Sequence, residues 1–141
     1  MNNTEMKILI GFHRNVNDLD KKTSKIALEH GLTFSQFMVL EALYSKGDMT
    51  VGKVREKILS SVGTISVIVN NLVKMNYIER LPDESDRRVC ILHLTEEGKD
   101  VIRKVLPKNE AMIVESMKVL TKEEKEELLY LLKKMGGRLN E

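Results

Sequence analysis

The sequence is poor in cysteine, tryptophan and proline: its 141 residues contain one Cys, no Trp and two Pro. A single cysteine cannot form a disulfide within the chain, and it also excludes a multi-cysteine zinc site. With so few prolines, little interrupts helices, and the helix formers Leu, Glu, Lys and Met are plentiful. We therefore expect one domain of ordinary size, built mainly from helices.

Long apolar runs are also missing. No stretch approaches the roughly 20 apolar residues that a membrane-spanning helix requires. The first seven residues lack the charged-then-apolar order of a secretory signal peptide. We therefore expect a cytoplasmic protein without a membrane partner.

Acidic residues are absent from one segment. The net charge is only +2, which does not by itself indicate a nucleic-acid partner. Lys57 to Ile78, however, contains no Asp or Glu, although the chain has 21 of them. A surface that faces phosphates needs such a segment, because carboxylates there would repel the nucleic-acid backbone. The alternative is a buried helix with little exposed area.

The first half of the chain predicts three helices. The first runs from about Thr4 to His30 and has a heptad-like stripe that is long for one small core, which favours packing against a partner chain. The second begins after Ser35 as N-cap and ends at Gly47, and Thr50 caps a short third helix. The stripe consists of Leu9, Phe12, Val16, Leu19, Thr23, Ile26 and His30.

The acid-free segment predicts a fourth helix, from about Val62 to Met75. Its β-branched residues also suggest a strand, but strict alternation fails and the segment is longer than most strands. One face is apolar, so the helix is amphipathic and not buried all round. The apolar residues are Ile65, Ile68, Val69, Leu72 and Val73; the other face carries Thr64, Ser66, Val67, Asn70, Asn71 and Lys74.

A hairpin and two helices complete the chain. Strands are predicted from Tyr77 to Leu81 and from Val89 to Leu94, joined by a polar turn. Thr95 caps a long helix to about Leu120, with a bend near Pro107. A last helix begins with a capping box of Thr121 and Glu124 and ends at Gly136-Gly137.

Several of these segments resemble the MarR family of bacterial regulators. The match covers nearly the whole chain in the same order, and the Asp-Arg-Arg wing tip followed by Leu-Thr-x-x-Gly is its most specific part. The matching segments are Leu40-Glu41-Ala42-Leu43, Val51 to Leu59, Gly63 to Leu72, Asn76 to Arg80, Asp86-Arg87-Arg88 and Leu94 to Gly98.

The resemblance implies a mainly α (α+β) fold, a winged helix-turn-helix with a two-stranded wing. Residues 1–31 and 96–141 would form dimerisation helices around a DNA-binding domain of residues 32–95. The implied function is a homodimeric transcriptional regulator, a ligand- or stress-responsive repressor that binds a pseudo-palindromic operator in double-stranded DNA.

The site residues follow from the same resemblance. Asn can pair with adenine, and valine methyls can pack on a thymine methyl, so the fourth helix would read the major groove. Wing arginines would enter the minor groove, with Asp86 fixing an arginine rotamer. The DNA-binding set is Ser61, Thr64, Ser66, Val67, Asn70, Arg87 and Arg88.

The resemblance further implies a pocket for a small-molecule effector. It would lie between the winged domain and the dimerisation helices of residues 1–31 and 96–141, which we call the arms. Its candidate lining consists of Phe12, His13, Val16, Phe37, Met38 and Tyr44. Each of these side chains is also a candidate for simple core packing.

An enzyme or metalloprotein is not predicted, and no cofactor is implied. The histidines His13, His30 and His93 are far apart, and Cys90 and His93 face opposite sides of a strand. Two alternatives stay open: a Cys90-dependent redox or electrophile sensor within the family, and a winged helix that binds protein without sequence-specific DNA binding.

Overall fold

A computed structural model describes residues 3–58 and 65–141 of the chain. These ranges contain six helices and a small antiparallel sheet, in the order predicted from the sequence. None of the helices within these ranges is long and apolar enough to cross a membrane. The elements are α1 Thr4–Glu29, α2 Phe34–Lys46, β1 Met49–Thr50, α3 Val51–Ile58, α4 Ile65–Lys74, β2 Ile78–Pro82, β3 Cys90–Leu94, α5 Glu96–Ser116 and α6 Lys122–Met135.

Threonine hydroxyls cap α2, α3, α5 and α6, with one correction to the predicted caps. The N-cap of α2 is Thr33 and not Ser35, because the Thr33 side chain accepts from the Gln36 N–H while the Gln36 side chain accepts from the Thr33 N–H. This reciprocal capping box satisfies two backbone donors that Ser35 cannot serve. The predicted caps at Thr95 and Thr121 are confirmed.

The end of α5 also differs from its prediction. The helix stops at Ser116, about four residues before Leu120, and it continues through Pro107. Its C-terminal turn is closed by the N–H of Met117, which donates to carbonyls of the preceding turn. The last helix, α6, ends at Gly136 as expected.

The sheet has three strands in the order β1-β3-β2. The predicted hairpin is confirmed and pairs Ile78 with Leu94 at one end and Pro82 with Cys90 at the other. The sequence did not predict β1, whose two residues pair with the outer edge of β3. The wing itself is therefore two-stranded, and β1 ties it to the start of α3.

The core lies between α2, α4, the sheet and α5. Its fully buried side chains come from elements distant in sequence, and α4 contributes one face only. Because Ser66, Val67 and Asn70 remain exposed, α4 is amphipathic as predicted, and the alternative of a helix buried all round is wrong. The largest fully buried side chains are Leu32, Leu40, Leu72, Ile78, Leu92 and Ile102.

One joint connects α4, the wing and α5. After α4 the chain turns at Asn76, which has a left-handed φ of 62°, and the Tyr77 N–H donates to the Leu72 carbonyl. Such a turn closes the helix end and suits Asn, which tolerates positive φ. The Thr95 hydroxyl then donates to the Asn76 carbonyl at 2.7 Å, and the Thr95 N–H donates to the Tyr77 carbonyl at 3.1 Å.

Gly98 allows this joint to close. A Cβ at this position would lie 2.7 Å from Leu94 Cδ1 and closer still to the Tyr77 carbonyl oxygen. The first turn of α5 thus packs directly on the backbone of the turn between α4 and β2.

The arms of the chain are only partly covered. The buried Thr23 hydroxyl of α1 donates to Asn109 Oδ1 of α5 at 2.7 Å, so the middle of the predicted stripe packs within the chain. Val16, earlier in the same stripe, is 53% exposed. No residue of α6 is buried, and Leu129 is 54% exposed.

We expect Gly98→Ala to lower the free energy of unfolding by about 1–3 kcal/mol, because the added methyl group meets backbone that cannot rotate away. Urea denaturation followed by circular dichroism measures this. Gly52→Ala is the matched control, because a Cβ there meets only Thr50 Oγ1 at 4.0 Å and the helix gains stability from alanine. Equal stability of Gly98→Ala and wild type would contradict the close packing of α5 on the Tyr77 backbone.

Candidate nucleic-acid interface

The outward face of α4 carries three of the predicted contact residues. Ser66, Val67 and Asn70 are exposed, and Asn70 follows the other two by four and three residues, which places it one turn further along the same side of the helix. They present a hydroxyl, two methyl groups and an amide, the groups that suit phosphate oxygens and base edges. Ser61 and Thr64, predicted at the start of the same helix, lie outside the described residues.

Asn70 has a partner that the sequence did not predict. Its Oδ1 accepts a hydrogen bond from Nη2 of Arg80, which lies on β2. The outward face of α4 is therefore joined to the wing strand β2 by a side-chain contact. No periodicity relates two residues ten positions apart on different elements, so this link emerges only from the tertiary structure.

The wing tip is a turn held by its own polar groups. The Val89 N–H donates to the Asp86 carbonyl at 3.0 Å, and the Asp83 N–H donates to the Val89 carbonyl at 3.2 Å. Asp83 Oδ1 accepts from both the N–H and the hydroxyl of Ser85, each at 3.1 Å. Asp83 therefore stabilises the turn, which explains an acidic residue beside two arginines.

Asp86 holds Arg88 by three contacts. Its Oδ1 accepts from the Arg88 N–H at 3.0 Å and from Nε at 3.1 Å, and its Oδ2 accepts from Nη2 at 3.3 Å. These bonds, the side-chain bond first, lower the pKa of Asp86 below its ordinary value of 3.8. The Arg88 side chain is still 90% exposed, so its orientation is set while its surface stays accessible. Arg87 next to it is exposed as well.

Further positive charge lies on α3. Lys53, Arg55 and Lys57 are exposed on this short helix, with Glu56 as the only acidic residue of the element. The predicted DNA-binding set did not include these three residues, although basic residues just before and at the start of the acid-free segment were a visible signal. In a helix-turn-helix the helix before the recognition helix crosses the DNA backbone, where such side chains suit phosphates.

The predicted effector residues do not gather at one place in the single chain. Phe37 is 2% exposed and belongs to the core, and Met38 packs against that core. Tyr44 is exposed, and its ring centroid lies 5.9 Å from Arg103 Cζ. The Tyr44 hydroxyl also raises the pKa of Arg103.

The other three candidates lie on α1. His13 and Val16 are exposed, whereas the half-buried Phe12 lines an apolar groove between α1 and α6. The effector pocket therefore stays a prediction. Besides Phe12, the groove is lined by Ile8, Leu128, Leu131, Leu132, Lys134 and Met135.

Cys90 and His93 lie on the same strand but have different neighbours. Cys90 is a half-buried free thiol that packs against the core at the start of β3. His93 Nδ1 lies 2.8 Å from Asp48 Oδ1, and its Nε2 lies 3.9 Å from Glu79 Oε1. Within residues 3–58 and 65–141, no group of three or more His, Cys, Asp or Glu side chains is arranged to hold a metal ion.

The family model and the relative that match this chain are both transcriptional regulators. A family model described as transcriptional regulator SarA/Rot matches residues 21–105. The HTH-type transcriptional regulator MhqR of Bacillus subtilis (strain 168) is 32% identical over 136 residues, which cover 96% of this chain and 94% of MhqR.

Two solved structures show the same fold. One is BpsR of Bordetella bronchiseptica, studied for the regulation of its DNA binding by 6-hydroxynicotinic acid. It is 21% identical with a TM-score of 0.81, and the match covers 96% of this chain and 97% of BpsR. A mutant MarR from E. coli complexed with operator DNA is 24% identical with a TM-score of 0.73, over 95% of this chain and 99% of that one.

We expect the Asp86 carboxyl to titrate below its ordinary range, which NMR of the side-chain carboxyl carbon measures directly. Because the pKa is lowered, the Asp86–Arg88 contact is present at higher pH and is lost as pH falls through the lowered value. Arg88→Ala should raise the midpoint towards the ordinary value, whereas Arg87→Ala should leave it low. The same midpoint in wild type and Arg88→Ala would refute this pairing.

Proposed function

We propose, from the premise that this chain belongs to the SarA/Rot family of MarR-like winged-helix transcriptional regulators, that it is a homodimeric repressor of a pseudo-palindromic operator. Membership makes it a DNA-binding transcriptional regulator. Its family and relatives are regulators and not enzymes. The dimer, the operator symmetry, the effector and a cytoplasmic site of action are the proposed parts.

The observation that carries the proposal is the surface formed by α4 and the wing. Ser66 and Val67 project from a helix without carboxylates, and Arg88 projects from a tip that Asp86 orients. A recognition helix fits the major groove, where methyl and hydrogen-bonding groups distinguish all base pairs. An arginine on a neighbouring hairpin fits the narrow, electronegative minor groove.

The arms support the dimer. Four leucines of α6 and the start of α1 expose apolar side chains in the single chain, and monomeric soluble proteins rarely leave so large an apolar patch uncovered. A second copy of the chain supplies the same surface and can cover it through two-fold symmetry. The main exposed residues are Met6, Ile8, Leu9, Leu128, Leu129, Leu131, Leu132 and Met135.

The effector would act through the contact between the arms and the winged domain. The six candidate pocket residues lie on α1 and α2, which pack against each other at the start of the winged domain. A ligand that binds better to one spacing of the two recognition helices shifts the population towards that spacing. The regulation of BpsR by a small carboxylic acid is a precedent on the same fold.

Selection of bound sequences from a random DNA pool tests the proposal. We expect enrichment of a two-fold symmetric site of about 16–20 base pairs, because two wings and two helices must meet half-sites about one helical turn apart. Sedimentation of the complex should give two chains per duplex. Enrichment of an asymmetric site would contradict the two-fold dimer on DNA. No enrichment would contradict the operator and favour a winged helix that binds protein.

We expect Arg88→Ala to weaken binding to the selected site by about 1–3 kcal/mol, because the guanidinium contact with the groove is lost. Fluorescence anisotropy measures the affinity. The thermal midpoint should stay unchanged, since the side chain is 90% exposed. Arg103→Ala removes the same group from α5 and serves as the control with wild-type affinity. Unchanged affinity of Arg88→Ala would exclude the assigned wing contact.

A further inference from the structure

The hydrogen bond between Asn70 and Arg80 joins the two parts of the DNA-binding surface. Asn70 lies one helical turn after Ser66 on the exposed face of α4, and Arg80 lies on the strand that leads to the wing. Both side chains are exposed, so the contact is at the surface and not in the core. It marks the place where the recognition helix and the hairpin meet.

The positive charge of Arg80 is not neutralised there. Its partner is an amide, and no ion pair between described residues includes Arg80. Successive side chains of a strand point to opposite faces, so Glu79 lies on the other face, near His93. Arg88, in contrast, is paired with a carboxylate.

The hydrogen-bonding groups that the Asn70–Arg80 contact leaves free are mostly donors. Asn70 uses its amide oxygen as the acceptor, so its Nδ2 keeps two N–H groups for another partner. Arg80 uses one N–H and keeps the rest of its five. A phosphate oxygen only accepts hydrogen bonds and carries a negative charge, whereas base edges are uncharged and every base pair presents a donor in the major groove. The Arg80 guanidinium, whose charge no carboxylate of the described residues neutralises, therefore matches a phosphate better than a base edge.

The position in the fold agrees with a phosphate. In helix-turn-helix proteins the N-terminal residues of the recognition helix contact the base edges. Asn70 lies in the second half of α4, and Arg80 lies between that helix and the wing. The DNA backbone must pass between the groove that α4 occupies and the groove that the wing reaches.

We infer that Arg80, oriented by Asn70, binds one backbone phosphate between the major-groove and minor-groove contacts of each chain. Arg80 touches the phosphate, and Asn70 is a positioning residue that holds the guanidinium. This assignment rests on the proposed placement of α4 and the wing on DNA. Asn70 is then not expected to pair with adenine. It holds the guanidinium that binds the phosphate between the two grooves.

Anisotropy titrations over a range of salt concentrations test the inference, with the selected operator and a scrambled duplex of equal length. Arg80→Ala should weaken both complexes by about tenfold, because a charge-assisted bond is lost. It should also reduce the slope of affinity against salt by about one per chain, since one phosphate contact disappears. Arg80→Lys should keep the wild-type slope, because it keeps the charge.

The role of Asn70 is tested by a double-mutant cycle. Asn70→Ala should weaken binding in the wild-type background and have no further effect in the Arg80→Ala background, because it acts through Arg80. Arg103→Ala is the charge-matched control and should leave affinity and slope unchanged. Thermal midpoints check that every variant is folded.

Two results would overturn the inference while the proposed function stands. The first is an Arg80→Ala protein with wild-type affinity and salt slope, measured where Arg88→Ala weakens binding. The second is a loss of operator affinity by Arg80→Ala with no loss for the scrambled duplex, which would make Arg80 a base reader. Failure of wild type to bind any selected site would instead overturn the proposed function, and the phosphate contact with it.

Discussion

The packing of the first turn of α5 on the turn between α4 and β2 is the constraint on which the rest of the structure depends. Thr95 donates to two successive carbonyls of that turn, and Gly98 leaves no side chain to hold the surfaces apart. The direction of α4, the start of the wing and the direction of α5 are thereby set together. A change in the angle of α5 therefore requires a change in the position of α4 or of this turn.

The same joint connects α1 and α5 to α4 and the wing. α5 packs along α1, where Thr23 and Asn109 form a buried hydrogen bond, and it begins where the wing ends. A buried polar pair of this kind stays satisfied only in one alignment of the two helices. Thr23 and Asn109 therefore favour one relative alignment of α1 and α5.

The helix order and the hairpin were predictable because their signals are local. Amphipathic spacing, a capping residue such as Thr95 or Thr121 before a helix, and a polar turn between apolar strands are all visible in short windows of sequence. The N-cap of α2 was misplaced by two residues, because Ser35 and Thr33 are both suitable and only the reciprocal bond with Gln36 distinguishes them. The two-residue strand β1 has no pattern of its own and exists because β3 pairs with it.

The candidate site was less predictable, because its contacts join distant parts of the chain. Arg80 lies in a segment that matches the family, but that match does not predict its contact with Asn70, which depends on how β2 lies against α4. The proposed pocket residues show the converse difficulty. An apolar aromatic residue such as Phe37 suits both a pocket wall and a packed core. Phe37 lies in the core, and no sequence pattern distinguishes these two roles.

The contact between Asp86 and Arg88 also has a consequence for how the protein can change over evolution. One carboxylate oxygen receives both a main-chain N–H and the guanidinium, so it shapes the turn and orients the arginine at once. Replacing Asp86 would alter both, which ties these two positions to one another. Arg87 lies between them without such a tie in the described structure, so an exchange at that single position can change the chemistry of the exposed tip while the bonds that shape the hairpin stay in place.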